Sequence, residues 1–256
     1  MSEEILRYEV AAGVATLTLN RPEKRNALNS ELVTALVKAL ARAGADEEAR
    51  VVVITGAGKD FCSGADLAEL ERISRMSAEE NLADARSLGA VFVAMRRLPK
   101  PVVAVVRGRA LAGGCGLATA CDLVLAHEGA GFAYPEVHLG FVPAMVMAVL
   151  RRKVTEGRAF ELVTRGHRID ADEARRIGLV NAVFRAGSFD DDVDAYLAEL
   201  ASKPASALAL TKELLYGLDD LGFEAGIERG AQVNVQARQT EACRDGVRRF
   251  LDRSSG

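Results

Sequence analysis

Ala110-Leu-Ala-Gly-Gly-Cys-Gly-Leu-Ala-Thr-Ala-Cys-Asp122 sets Gly113, Gly114 and Gly116 just after the apolar run Pro101-Val-Val-Ala-Val-Val106, at the start of a helical pattern. No side chain from Ala110 to Ala120 suits proton transfer near pH 7, so what the run offers is main chain. The start of a helix leaves N–H groups without intrahelical acceptors, and glycine lets another group approach them without meeting a Cβ. The apolar residues Asp122-Leu-Val-Leu-Ala126 then read as the next strand, giving strand, helix, strand.

The same alternation extends in both directions. Upstream, Tyr8-Glu-Val10 and Val14-Ala-Thr-Leu-Thr-Leu19 predict a hairpin around Gly13 that ends in a turn at Asn20-Arg-Pro22. From about Asn29 a helix is predicted, because Leu32, Val33, Leu36, Val37 and Leu40 recur at three- and four-residue spacing. Arg50-Val-Val-Val-Ile-Thr55 supplies a strand, and residues 78–98 a helix before the strand at 102–106. Parallel pairing with helical crossovers follows. Downstream, helical periodicity dominates 156–165, 171–177, 190–202 and 204–251, with Asp170 or Asp172 as an N-cap and Gly178 as a stop. The fold class is therefore α/β, with residues 1–200 as the core and 201–256 as a helical region that packs on it or on a neighbouring subunit.

With 256 residues, 49% of them hydrophobic, one sizeable core is available. The 33 basic residues are interleaved with 36 acidic ones for a net charge of -3, which leaves no electrostatic footprint for nucleic acid. No apolar run approaches the roughly 18 residues of a membrane span, and Met1-Ser-Glu-Glu-Ile-Leu-Arg-Tyr-Glu-Val10 does not read as a signal peptide. The expectation is a cytoplasmic protein with no membrane and no nucleic-acid partner. Cys62, Cys115, Cys121 and Cys243 suggest reduced thiols, and His127, His138 and His167 are scattered, so no metal site is expected.

Several segments carry residue types with possible chemistry. Gly56-Ala-Gly58 follows a strand, but Phe61 stands where a dinucleotide fingerprint needs its third glycine, which leaves a loop leaving a strand. A Walker lysine and a GxSxG elbow are both missing. Phe61-Cys-Ser-Gly-Ala-Asp-Leu67 leads into a short helical pattern with Asp66 as a plausible cap, and Gly113-Gly-Cys-Gly116 opens another. Capping and tight packing account for either segment alone; if their free amides converge they form an oxyanion hole. Glu136 follows a proline and is the one carboxylate between Gly129 and Lys153, a setting that raises a pKa and suits a general acid or base, although a solvated turn residue accounts for it equally. His138, two residues on, would face the other way in an extended segment.

Taken in order, these segments resemble the crotonase superfamily of enoyl-CoA hydratases and isomerases. The resemblance is carried by Asn20-Arg-Pro-Glu-Lys-Arg-Asn-Ala-Leu-Asn29, 61–67, 101–108, 110–122, Pro135-Glu-Val-His-Leu-Gly-Phe-Val-Pro143 and Ala174-Arg-Arg-Ile-Gly-Leu-Val-Asn181. It implies a crotonase-like spiral of ββα repeats with a C-terminal helical trimerisation region, assembled as a homotrimer or as a hexamer made of two trimers. It further implies that the amides of Ala65 and Gly113 hold the oxygen of an acyl-CoA thioester substrate beside Glu136. Arg25, Ala27 and Leu28 match the segment that holds the adenine and phosphate end of coenzyme A, and Asp66, Leu67 and Ala68 continue the acyl-side contact. Phe250 and Arg253 match positions that, in some members, close the pocket of an adjacent subunit. No cofactor is implied beyond the coenzyme A that is part of the substrate.

One departure bears on the reaction. Well-studied hydratases of this family carry a second glutamate at the position of Gly116, and here only Glu136 remains. Three readings follow. Glu136 alone serves hydration of a 2-enoyl-CoA, as in the bacterial methylglutaconyl-CoA hydratases that residues 116–122 and 77–84 resemble, which admits branched or carboxylated acyl groups. Alternatively, Glu136 moves a proton between the α- and γ-carbons of a 3-enoyl-CoA, or the chain is a non-catalytic acyl-CoA-binding relative. Met76, Leu82, Val142, Met145 and Met147 are candidates for an acyl tunnel and equally for core.

Overall fold

Strands whose alternate residues are both apolar need cover on both faces, and the chain provides it. The computed structural model describes residues 4–254, without the side chains of Leu67 and Ser254. β1 (Leu6–Ala11) and β2 (Val14–Leu19) form an antiparallel hairpin with Leu6 opposite Leu19. A 3-10 turn at Pro22–Lys24 leads to α1 (Ser30–Ala45), whose first turn is capped by the Asn29 side chain accepting from Leu32 N. β3 (Val51–Gly56), α2 (Leu67–Ile73), α3 (Ala78–Arg97) and β4 (Val102–Val106) follow. Ser77 and Glu80 start α3 by a reciprocal capping box.

The next stretch runs β5 (Arg109–Leu111), α4 (Gly113–Ala120), β6 (Leu123–His127), β7 (Gly131–Ala133), a 3-10 turn at Pro135–Leu139, α5 (Ala144–Lys153) and α6 (Glu156–Arg165). The chain then forms β8 (Ile169–Asp170), α7 (Ala171–Arg176), β9 (Ala182–Phe184), α8 (Phe189–Ala201), α9 (Ala205–Gly217), α10 (Phe223–Gln239) and α11 (Glu241–Ser254). The main sheet has the order β1-β2-β3-β4-β6-β9 and is parallel from β2 onward; a second sheet has the order β5-β7-β8. Along β3, Val51 and Val53 pack with Phe189, Val193 and Leu197 of α8, while Val52 and Ile54 face the larger core with Leu32, Leu36 and Leu40 of α1. Period-two alternation thus divides one apolar run between two layers.

The structure departs from the sequence expectations in three places. The helical run expected over 204–251 is three helices, interrupted at Leu218–Gly222 and at Thr240, whose hydroxyl accepts from Cys243 N at 3.2 Å. The small sheet and α5 were not anticipated, since β5 and β7 have 3 residues each and β8 has 2, too few to show a period. The segment around Glu136, for which an extended chain and a turn both stood open, is a 3-10 turn with Pro135 at its start, where a missing N–H costs nothing. His138 is consequently not opposite Glu136 across a strand; it is exposed, and its ring lies beside Gly166 at the end of α6. Among the described residues, no helix is long and apolar enough to cross a membrane.

Candidate active site

The segment that leaves β3 is held from two sides. Leu28 N donates to Gly64 O at 2.7 Å and Asp66 N to Leu28 O at 2.9 Å, pairing Leu28 with Ala65 as a parallel bridge. This pattern uses the carbonyl before Ala65 and the amide after it, so the N–H of Ala65 itself points to the opposite edge. On that edge Cys62 N donates to Arg109 O at 3.0 Å and Leu111 N to Cys62 O at 2.9 Å, which ties the segment to β5. Gly64 has φ +95, and a Cβ there would lie 2.8 Å from the Cβ of Ala112 and 3.0 Å from Leu111 O. The two chains therefore touch at Gly64 and Ala112, and the next residue on each is Ala65 and Gly113.

Gly113 is the first residue of α4, where an amide has no intrahelical acceptor. Ala112 turns the chain into that helix with φ 48, a conformation of order 1–3 kcal/mol above the usual regions for a residue with a Cβ. It is held there by Ala112 N donating to Ala133 O and Gly116 N donating to Ala112 O, both at 2.9 Å. No acceptor among the described residues takes the amide of Ala65 or of Gly113. Two unpaired donors on adjoining chains are suited to a developing negative charge.

The turn that carries Glu136 is stitched to the same arm. β5 pairs with β7 in parallel, Leu111 opposite Ala133, and the chain reaches Glu136 directly after Tyr134 and Pro135. Oε2 of Glu136 is buried and has no hydrogen-bond partner among the described residues. Burial pushes its pKa above the ordinary glutamate value, outweighing a hydrogen bond from its own backbone. Its charge in turn raises the pKa of Cys115 and Tyr134, where burial is the larger cause. A buried carboxylate oxygen without a partner calls for a polar group from outside the chain.

The first turn of α4 also meets an apolar wall. A Cβ at Gly116 would sit 2.4 Å from Val146 Cγ2 and 3.5 Å from Phe92 Cζ, and both of those side chains are buried. The glycine is there because Val146 of α5 fills the space a side chain would need.

The remaining expected residues fall into three groups. Ala27 and Leu28 are buried beside the Ala65 arm, and a Leu28 methyl lies 3.4 Å from where a Gly113 Cβ would be. Arg25 and Ala68 are exposed on the same side of the chain's path, while Asp66 is buried and caps α2 by accepting from Ala68 N at 3.0 Å. Leu67 opens α2, and its side chain lies outside the described residues. Phe250 and Arg253 are exposed on α11, which packs on α9 and α10, so the chain does not itself bring them to the Glu136 cluster. Of the tunnel candidates, Met145 and Met147 are half-buried against the core, and Leu82 and Val142 are exposed.

Sequence reasoning missed two residues that organise this region. Arg21 donates to Ala27 O at 2.5 Å and to Asp66 Oδ2 at 2.7 Å, joining the 25–28 segment to the head of α2. Asn26, fully buried with φ 55, donates to Ala57 O at 2.9 Å and Asp60 O at 2.8 Å and accepts from Arg21 N. The available signal was Asn26 itself, a residue that tolerates the left-handed region inside a turn. Among the described residues, no group of His, Cys, Asp and Glu could hold a metal ion.

Comparison with known proteins gives a consistent result. Residues 9–255 match the family Enoyl-CoA hydratase/isomerase. A Thermus thermophilus protein provisionally named enoyl-CoA hydratase is 43% identical over 94% of this chain and 95% of that protein. The 2,3-dehydroadipyl-CoA hydratase of Escherichia coli is 37% identical over 94% of this chain and 92% of that protein. The crystal structure of an enoyl-CoA hydratase from Mycobacterium smegmatis superposes with a TM-score of 0.93 at 34% identity, covering 98% of this chain and 97% of that one.

Proposed function

Because the chain belongs to the enoyl-CoA hydratase/isomerase family, we propose that it adds water across the double bond of a 2-enoyl-CoA, with Glu136 as its single acid/base. The thioester oxygen sits between the amides of Ala65 and Gly113. The Glu136 carboxylate takes a proton from water as the water oxygen bonds to the β-carbon, and the double-bond electrons move onto the thioester oxygen as an enolate. The enolate then collapses as the α-carbon takes the proton back from Glu136, so the two parts of one water molecule are both placed. A preorganised donor of the Ala65 or Gly113 kind contributes about 3 to 4 kcal/mol to such a step. Arg25, Ala27, Leu28, Asp66, Leu67 and Ala68 line the coenzyme A and thioester side, and Phe250 and Arg253 serve the pocket of a neighbouring protomer in a trimer or dimer of trimers.

The observation that carries this reading is the buried, partnerless Oε2 of Glu136 on a turn tied to the Gly113 arm. A carboxylated acyl group, as named for the Escherichia coli relative, or a branched one is the acyl class proposed. Purified protein is expected to consume a conjugated 2-enoyl-CoA, with loss of the conjugated-thioester absorbance and isotope uptake at the β-carbon from labelled water. Glu136→Gln is expected to abolish turnover while coenzyme A binding persists, since shape changes little and proton transfer is removed.

A second reading is favoured by the apolar wall of Gly116, Val146 and Phe92, which offers the water no second polar partner. It is proton transfer between the α- and γ-carbons of a 3-enoyl-CoA by the same Glu136. Inertness toward 2-enoyl-CoAs together with conversion of 3-enoyl-CoA to the conjugated form would replace hydration by isomerisation. Binding of both without turnover would leave an acyl-CoA-binding relative.

A further inference from the structure

The turn that carries Glu136 rests on α6, where Val137 and His138 lie against Gly166. Val137, Leu139 and Val142 are nevertheless exposed, whereas Phe132, Ala133 and Tyr134 immediately before the turn are buried. What fixes Tyr134 therefore sets how the chain enters the turn and where the carboxyl points. Tyr134 is 1% exposed, and its hydroxyl lies 2.5 Å from Thr119 Oγ1. Thr119 gives its one hydroxyl proton to Cys115 O at 2.7 Å, so the Tyr134 hydroxyl is the donor to Thr119. Thr119 stands near the end of α4, the helix whose first residue is Gly113. At the head of the same helix, Ala112 N donates to Ala133 O. The approach to Glu136 is thus pinned to α4 at both ends, by main chain at 112 and by side chain at 119.

We infer that the Tyr134–Thr119 hydrogen bond is a positioning clamp that makes the Glu136 turn and the Gly113 amide parts of one rigid body. The inference rests on the reading of Glu136 as the acid/base. Both residues act through Glu136 and touch no substrate. Their hydroxyls are directional, whereas a phenylalanine and a valine of nearly the same shape would keep the packing and lose only the register. A misplacement of about 1 Å in a reacting group costs on the order of a hundredfold in rate.

The test is a double-variant cycle with Tyr134→Phe, Thr119→Val and the pair, together with Thr119→Ser and Glu136→Gln, assayed on one 2-enoyl-CoA for kcat, KM, pH profile and Tm. Each hydroxyl-deleting variant is expected to lower kcat about ten- to a hundredfold with KM unchanged. The pair should lose less than the product of the two single losses, because both variants break the Tyr134–Thr119 bond while Thr119→Val alone also removes the bond to Cys115 O, and Thr119→Ser should retain the kcat of the parent. A Tyr134→Phe protein with the parent kcat, or losses that multiply in the pair, overturns the clamp even if Tm falls. An active Glu136→Gln sinks the acid/base reading and the clamp with it. An inactive Glu136→Gln beside an unimpaired Tyr134→Phe sinks the clamp alone.

Discussion

Glu136 and Gly116 differ in chemistry, one a carboxylate raised in pKa by burial and the other a glycine backed by Val146. If the ionised Glu136 is the base, kcat/KM should rise with pH through its pKa, and because burial favours the neutral form that inflection should lie above the usual glutamate value of about 4.3. The limb should vanish from any residual rate of Glu136→Gln; a limb that persists there belongs to another group. Gly116→Glu asks whether a second carboxylate fits. With Val146 Cγ2 at 2.4 Å from the first added atom, the variant should be overpacked and lose about 1–3 kcal/mol. Replacing Val146 by Ala in the same protein removes the obstructing methyls, and the melting temperature of Gly116→Glu/Val146→Ala should exceed that of Gly116→Glu. Equal melting temperatures would show that the glutamate avoids Val146 by another route.

At the scale of elements, the arm from Cys62 to Asp66 works because hydrogen bonds hold it on both edges while the Ala65 amide takes no acceptor among the described residues. Asp66 illustrates this: one oxygen caps α2 and the other receives Arg21, which also holds Ala27 O. Arg21 holds the Asp66 pKa below the usual carboxylate range, so the pair's contribution is complete above that range and is lost as pH falls through the lowered folded value. Asp66→Asn keeps a capping oxygen and should be less destabilised than Asp66→Ala, which also loses a cap worth about 1 kcal/mol. The deficit of Asp66→Asn against the parent, followed by urea denaturation, should be largest near neutral pH and close in acid. A deficit that does not change with pH would mean the ion pair contributes nothing.

What the sequence made legible at this scale follows from the reach of each signal. The helix start near Asn29, the Asp66 cap, the cap expected at Asp170 or Asp172 and found at Asp170, and the glycine-opened α4 are local, and all four stand where expected. The 3-10 turn at Pro135 and the small sheet β5-β7-β8 depend on which distant segments meet, and no period in a two- or three-residue strand announces that. The same limit explains Arg21, whose partner lies 45 residues away.

On the scale of the whole molecule, the terminal helices combine a sealed inner face with an open outer one. Phe223 and Ile227 are left exposed on α10, and covering them is the physical reason to expect the trimer or dimer of trimers proposed above. Sedimentation should then give a mass that is a multiple of three chains, and a monomer at assay concentration would remove that expectation. The inner face is closed by α9, where Lys212, 7% exposed, donates to Met95 O at 2.8 Å, Lys100 O at 2.9 Å and Asp122 Oδ2 at 2.7 Å. Asp122, which directly follows the helix and Cys121, also accepts from Val102 N at 2.6 Å and from the Tyr216 hydroxyl at 2.5 Å. The Asp122–Lys212 pair therefore joins the end of α3, the start of β4, the segment after α4 and helix α9. Lys212→Met leaves the half-buried Asp122 without its cation and should cost about 1.5–3 kcal/mol. Asp219 provides the contrast, since it pairs with Arg96 and Arg152 where all three side chains are partly exposed. Asp219→Ala should cost about 0–1 kcal/mol. Measured by urea denaturation at one protein concentration, a Lys212→Met deficit no larger than that of Asp219→Ala would show that α9 is held by apolar packing rather than by this buried pair.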